Sequence, residues 1–164
     1  MRYHNITKDD MLNGCGLRVV LWVSGCSHKC EFCQNPITWD PDDGVLFDDS
    51  AKSEIFAELK KDYISGITLS GGDPLFPSNR ECVGRLIHEI KEKFPKKSIW
   101  LYTGYIWENI NSLEFIPLID VIVDGKFIEK YKDTSLYWRG SSNQRVIDVK
   151  KTLKRAEVVL YKTL

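Results

Sequence analysis

Short apolar runs alternate along the chain with stretches in which apolar positions recur every three or four residues. Residues 17–23 form a β-branched apolar run stopping at Ser24-Gly25, the pattern of a buried strand. A polar stretch with Pro36, Pro41 and Gly44 follows and predicts a long loop, which in a compact domain has to be functional or flexible. Ser50 is placed to cap a helix carrying Ile55, Phe56, Leu59 and Tyr63 on one side, with Gly66 just past its end. Residues 67–69 predict a short strand closing on Ser70-Gly71-Gly72-Asp73-Pro74. The next helix is the best marked. Ser78 and Glu81 have capping-box spacing, Val83, Leu86, Ile87, Ile90 and Phe94 recur at helical spacing, and Pro95 stops it. Residues 99–102 and 121–123 read as strands, 107–115 as a short helix, and 146–149 as one more strand.

Alternation of strand and helix implies βαβ crossovers and an α/β fold with a mainly parallel sheet. At 164 residues the chain is too short for an eight-unit barrel of about 250, so an open, partial β/α barrel is expected. No repeat, low-complexity tract or Gly/Ser linker divides the chain. Polar, glycine-bearing segments fall at the carboxyl ends of successive strands: Ser24-Gly25-Cys26, Ser70 to Pro74, Thr103-Gly104-Tyr105 and Asp124-Gly125-Lys126. In parallel α/β sheets that edge is where ligands bind, so these segments are expected to meet at one site.

Twenty-three Lys and Arg balance twenty-three Asp and Glu, which argues against nucleic acid or an anionic membrane as the main partner. No apolar run approaches a membrane span, and residues 1–5 lack the apolar core of a signal peptide; a cytoplasmic protein is expected. The five cysteines change the picture, because Cys26, Cys30 and Cys33 fall within eight residues. In a reducing compartment such a cluster points to metal or catalysis rather than to disulfides.

Three readings of the cluster compete. Positions 26, 30 and 33 could be inert cysteines on one helix face, although only Phe32 among the intervening residues is apolar, and Gly25 and Pro36 bracket a loop. A zinc site would need a further ligand; His28 is cramped between two of the cysteines, and no second Cys/His pair exists. An iron–sulfur electron carrier would use four thiolates, and neither Cys15 nor Cys82 is supported as the fourth. Three thiolates on a four-iron cluster leave one iron open to a ligand.

The C-x3-C-x2-C spacing, with Phe32 directly before the third cysteine, resembles the signature of radical S-adenosylmethionine enzymes. That resemblance implies one [4Fe-4S] cluster held by Cys26, Cys30 and Cys33, with Phe32, Cys33 and Gln34 in the S-adenosylmethionine site. Gly71, Gly72, Asp73 and Pro74 resemble the family's Gly-Gly-Glu type element, which holds the methionine amino group. Paired glycines permit close backbone approach, and Asp73 could pair with an ammonium. An ordinary Gly-Gly turn followed by Asp-Pro is the plain alternative.

Val23-Ser24-Gly25-Cys26, Thr38-Trp39, Thr103-Gly104-Tyr105 and above all Trp138-Arg139-Gly140-Ser141-Ser142-Asn143-Gln144-Arg145 are similar to the glycyl-radical activases that serve anaerobic ribonucleoside-triphosphate reductases. The resemblance covers residues 1–149, taken as a radical S-adenosylmethionine domain, and leaves 150–164 as a tail of unassigned role. It implies reductive cleavage of S-adenosylmethionine to methionine and a 5′-deoxyadenosyl radical, which takes a hydrogen from a glycine of the large reductase subunit. Reduced flavodoxin or a similar carrier is the implied electron donor. Cofactors carry such chemistry, so no acid–base residue is nominated. An activase for a formate-lyase type enzyme and a non-catalytic cluster-binding module remain the alternatives. Gln34, Cys15 and Tyr102 depart from the family's usual tyrosine, proline and tryptophan.

Asp124 and Lys126 end a strand on the expected active edge, and Arg139 sits in the activase-like stretch, so all three are candidate contacts to ligand or partner. His28 is expected to be a solvated loop histidine, and Lys150, Lys151, Lys154 and Arg155 a solvated helix face.

Overall fold

A computed structural model describes residues 1–162. Seven strands form one open sheet: β1 (Arg2–Asp10), β2 (Arg18–Val23), β3 (Val45–Leu46), β4 (Gly66–Gly71), β5 (Ser98–Tyr102), β6 (Val121–Asp124) and β7 (Arg145–Asp148), in the order β3-β1-β2-β4-β5-β6-β7. The four α-helices are α1 (Asp49–Leu59), α2 (Arg80–Lys93), α3 (Trp107–Ile110) and α4 (Val149–Arg155). The fold is α/β, as expected, and the sheet stays open.

The expectation of a mainly parallel sheet needs correction, because the sheet is mixed. Strands β2, β4, β5 and β6 pair in parallel, whereas β1 with β2, β1 with β3, and β6 with β7 are antiparallel. The reason lies in the connections. Parallel neighbours need a crossover of a dozen or more residues. The β1–β2 connection has only residues 11–17, so β2 must return beside β1 in the opposite sense.

The β-branched register of β2 explains the two faces. Val19, Leu21 and Val23 point to the side where Ile55 and Leu59 of α1, Val83, Leu86, Ile87 and Ile90 of α2, and Trp107 and Ile110 of α3 pack, all essentially buried. Truncating one of these, such as Ile87→Ala, costs about 2–5 kcal/mol in a core of this kind. The opposite face carries a smaller cluster of Trp100, Val121, Val123 and Val146 with Tyr102, Trp138 and Tyr161, to which no helical residue among those described belongs. Helices therefore cover one face, and the other is free to line a cavity.

Arg18 lies wholly buried at the start of β2 on that second face. Its donors reach Thr68 Oγ1, Ser98 Oγ and the carbonyls of Cys15, Ile67 and Ser98, and its guanidinium stacks 5.4 Å from the Trp100 ring centroid. Burial without a carboxylate partner pulls its pKa down to about 10.

Helix caps differ from expectation. Asp48, not Ser50, caps α1, its side chain accepting from Ala51 N at 2.9 Å; Ser50 lies inside the helix. The Ser78/Glu81 capping box does not form: Asn79 precedes α2, and its side chain is used elsewhere. After α4 the chain turns at Ala156, which has φ 55°, and returns along β7 through Asp148 N to Val159 O and Tyr161 N to Val146 O. No helix among the described residues is long and apolar enough to cross a membrane.

Candidate active site

The cysteine loop follows β2. Gly25, Lys29 and Phe32, each immediately before a cysteine, have φ of 97°, 46° and 54°. Left-handed backbone is routine for glycine but uncommon for Lys and Phe, so the loop is held in its shape by what surrounds it. Its first residues are clamped by the 3-10 turn Pro36–Thr38: Gly25 N donates to Thr38 O and Cys26 N to Trp39 O.

Asp73 supplies the other anchor. Its carboxylate, 1% exposed, lies 2.7 Å from His28 Nε2 and accepts from Thr103 Oγ1, Gly104 N and Leu75 N. One buried side chain thus ties the cysteine loop, the turn after β4 and the turn after β5 together. The His28 ring is packed edge-on against Tyr105 at 4.7 Å, and a side chain at position 104 would collide with it. Asn79 Nδ2 completes the brace by donating to Ser24 O and Asp73 O.

The paired glycines are required by close packing of these turns. At Gly71, φ 102°, a Cβ would stand 2.6 Å from Val23 N; at Gly72 it would stand 2.6 Å from Gly25 O. The turn after β4 therefore presses directly onto the base of the cysteine loop.

Together these segments enclose an open cavity of about 600 Å³ on the helix-free face, at the carboxyl ends of the parallel strands. Cys26, Cys30 and Cys33 line it with His28, Gln34, Gly71, Gly72, Thr103, Gly104, Gly125 and Arg139, while Trp22, Tyr102 and Trp138 form its aromatic walls. Cys15 and Cys82 are not among the lining residues. All five cysteines are free thiols. Among the described residues no three His, Cys, Asp or Glu side chains converge as they would on a single metal ion, although the three loop thiols line the same cavity. Burial pushes the Cys26 and Cys30 thiols up, partly offset by the His28 backbone N–H at Cys26 and the Lys126 charge near Cys30. Both are therefore protonated at neutral pH, and ligating a metal would require each to give up its proton.

A family model described as a 4Fe-4S single cluster domain matches residues 12–147. The anaerobic ribonucleoside-triphosphate reductase-activating protein of Enterobacteria phage T4 is 50% identical over 146 residues, covering 89% of this chain and 93% of its own. Proteins of the same name from Haemophilus influenzae and Escherichia coli K12 are 44% and 43% identical, over 88% and 89% of this chain and 96% and 97% of theirs. This chain belongs to the anaerobic ribonucleoside-triphosphate reductase-activating proteins.

Within this activating protein, the residues singled out from sequence divide into two groups. Cys26, Cys30, Cys33, Gln34, Gly71, Gly72 and Arg139 share the cavity, the last with Nη1 donating to Gln144 O at 2.6 Å. Phe32, Asp73, Pro74, Asp124 and Lys126 are not among the cavity's lining residues. Phe32 is 70% exposed. Asp124 is buried and bonded to Arg145 Nε and Nη2 and to Trp107 N, which commits it to bracing β6 against β7 and α3. Lys126 is exposed.

His28 is corrected from a solvated loop residue to a held one, with its side chain 14% exposed. Sequence reasoning also missed Thr103 and Asn79 as braces of the site. For His28 a signal existed, a histidine inside the cysteine loop with a carboxylate at the next strand end. For Asn79 the signal pointed elsewhere, since an Asn before a helix reads as a cap.

Proposed function

We propose that Cys26, Cys30 and Cys33 hold one [4Fe-4S] cluster, that S-adenosylmethionine binds beside it, and that the protein thereby places a glycyl radical on the large subunit of anaerobic ribonucleotide reductase. The observation that carries this reading is the sharing of one open cavity by three free thiols and the Gly71-Gly72 turn. The donor set fits the cluster in number and kind: one loop offers three thiols, enough for three irons of a cubane, and leaves the fourth iron for a ligand. Bound there, the reduced cluster and S-adenosylmethionine supply one-electron cleavage of the sulfonium to methionine and a 5′-deoxyadenosyl radical, which removes hydrogen from a glycine α-carbon.

The chain's own residues position and exclude. The Asp73 brace fixes the cysteine loop relative to the turns after β4 and β5, so ligands to the two sides keep a constant separation. Ser70, Gly71 and Gly72 line the cavity and the buried Asp73 does not, so they are the part of this turn available to the methionine amino group. Arg139 brings the cavity a guanidinium suited to a carboxylate. Trp22, Tyr102 and Trp138 keep the inner wall aromatic and restrict water, which protects a reactive species. The cavity remains open on one side, as a protein substrate requires. Reduced flavodoxin or a similar carrier is the proposed electron source.

The test is to mix anaerobically reconstituted protein, reductant and S-adenosylmethionine with the large reductase subunit and record electron paramagnetic resonance. A glycyl-radical doublet on the reductase is expected. A doublet on a formate-lyase type partner alone would reassign the target, and none on either would refute the activase reading.

A further inference from the structure

The returning tail packs behind one residue of the cavity wall, Trp138. Trp138 has φ 60°, a left-handed backbone in which its Cβ crowds the carbonyl, so its neighbours must hold it there. Those neighbours are aromatic. Trp138 packs edge-on against Trp100 at 4.9 Å and Tyr161 at 5.8 Å, and Tyr161 meets Trp100 at 5.2 Å, closing a triangle of rings. Trp138 has the main cavity on one side. On the other lies a recess of about 230 Å³, which it lines with Leu160 and Tyr161. Tyr161 is brought there by the pairing of residues 159–161 with β7.

We infer that Tyr161 is a positioning residue for the cofactor cavity: its ring fixes Trp138, and the tail thereby sets the wall that S-adenosylmethionine meets. The inference rests on the proposed cofactor site for its ligand, while the wall itself can be tested without one. Removing the ring enlarges the recess behind Trp138 and takes away one of the two edge-on ring contacts that hold its indole and left-handed backbone in place.

The experiment compares the full chain, anaerobically reconstituted, with Tyr161→Ala and Tyr161→Phe. In ligand-free protein, amide exchange over residues 135–144 is expected to quicken in the Ala variant alone, with the cysteine loop unchanged. S-adenosylmethionine affinity, read from its perturbation of the reduced cluster's resonance, is expected to fall about tenfold in the Ala variant, the scale of one to two lost aromatic pairs. Iron content should be unchanged in both, and Phe should behave as wild type. Unaltered exchange in Tyr161→Ala overturns the inference, as does an affinity loss that merely follows loss of iron. Faster exchange with no binding even by wild type would leave the wall standing and sink the proposed cofactor site instead.

Discussion

Asp73 is the point where a single substitution should disconnect the site. Replacing it by Ala removes the acceptor for Leu75 N and Thr103 Oγ1, whose residues are buried, and for His28 and Gly104, which are only partly buried and can reach water. A buried donor left unsatisfied costs about 1–3 kcal/mol, so the two buried ones together give a loss of about 4 kcal/mol. That is a large share of the roughly 5–15 kcal/mol that holds a domain of this kind together. It corresponds to a fall in Tm of about 8–16 °C at this chain length. Asp73→Asn keeps an oxygen acceptor in place and should cost about 1–2 kcal/mol. The assay is thermal and urea unfolding of metal-free protein, followed by iron content after reconstitution. The Ala variant should both melt early and retain less iron, because His28 no longer anchors the cysteine loop. A Tm within about 2 °C of wild type, or equal losses for Ala and Asn, would show that Asp73 is not the brace described.

Serine at Cys26, Cys30 or Cys33 should abolish cluster retention, measured as iron and sulfide per chain. Serine at Cys15 or Cys82, which lie off the cavity lining, should leave it unchanged. Gly71→Ala should lose at least as much stability as Asp73→Ala in chemical denaturation, because its Cβ meets the β2 backbone and its φ of 102° is unfavourable to any other residue. Burial alone would raise Asp120, but hydrogen bonds from Lys150 and Lys91 and from Ile99 N hold its carboxyl below the ordinary carboxylate value. The unfolded chain thus binds the proton more readily. The stabilisation is fully present above about pH 4 and is lost as pH falls through the lower folded value. Acid titration should therefore show Asp120→Asn losing its deficit to wild type below that range, and a deficit constant with pH would contradict this assignment.

How far the fold and site could be read in advance depended on where each residue's partners lie. The parallel strands β2, β4, β5 and β6 and the helix α2 announce themselves because buried strands are continuous apolar runs and an amphipathic helix repeats with its own period. Strand β1 does not. Of Arg2 to Asp10 only Tyr3 and Ile6 are large and apolar, the strand is nowhere fully buried, and its pairing is dictated by β2 across a short connection. With β1 and β3 unseen, the sheet looked more parallel than it is. The thiols were legible because three chemically distinctive residues fall within eight positions. The inward turn of Asp73 was not, since His28 and Thr103 are 45 and 30 residues away in sequence. Asn79 shows the same effect: a local capping preference was overridden by the carbonyls of Ser24, 55 residues away, and of Asp73, six away.

The proposed function stands or falls on what the cysteine loop does to S-adenosylmethionine. The direct measurement is 5′-deoxyadenosine formed per chain by anaerobically reconstituted protein given dithionite and S-adenosylmethionine, beside the Cys33→Ser variant. Wild type is expected to form 5′-deoxyadenosine and methionine in equal amounts, and the variant neither. Iron-loaded wild type that yields neither, or a colourless protein holding one zinc ion, would contradict it.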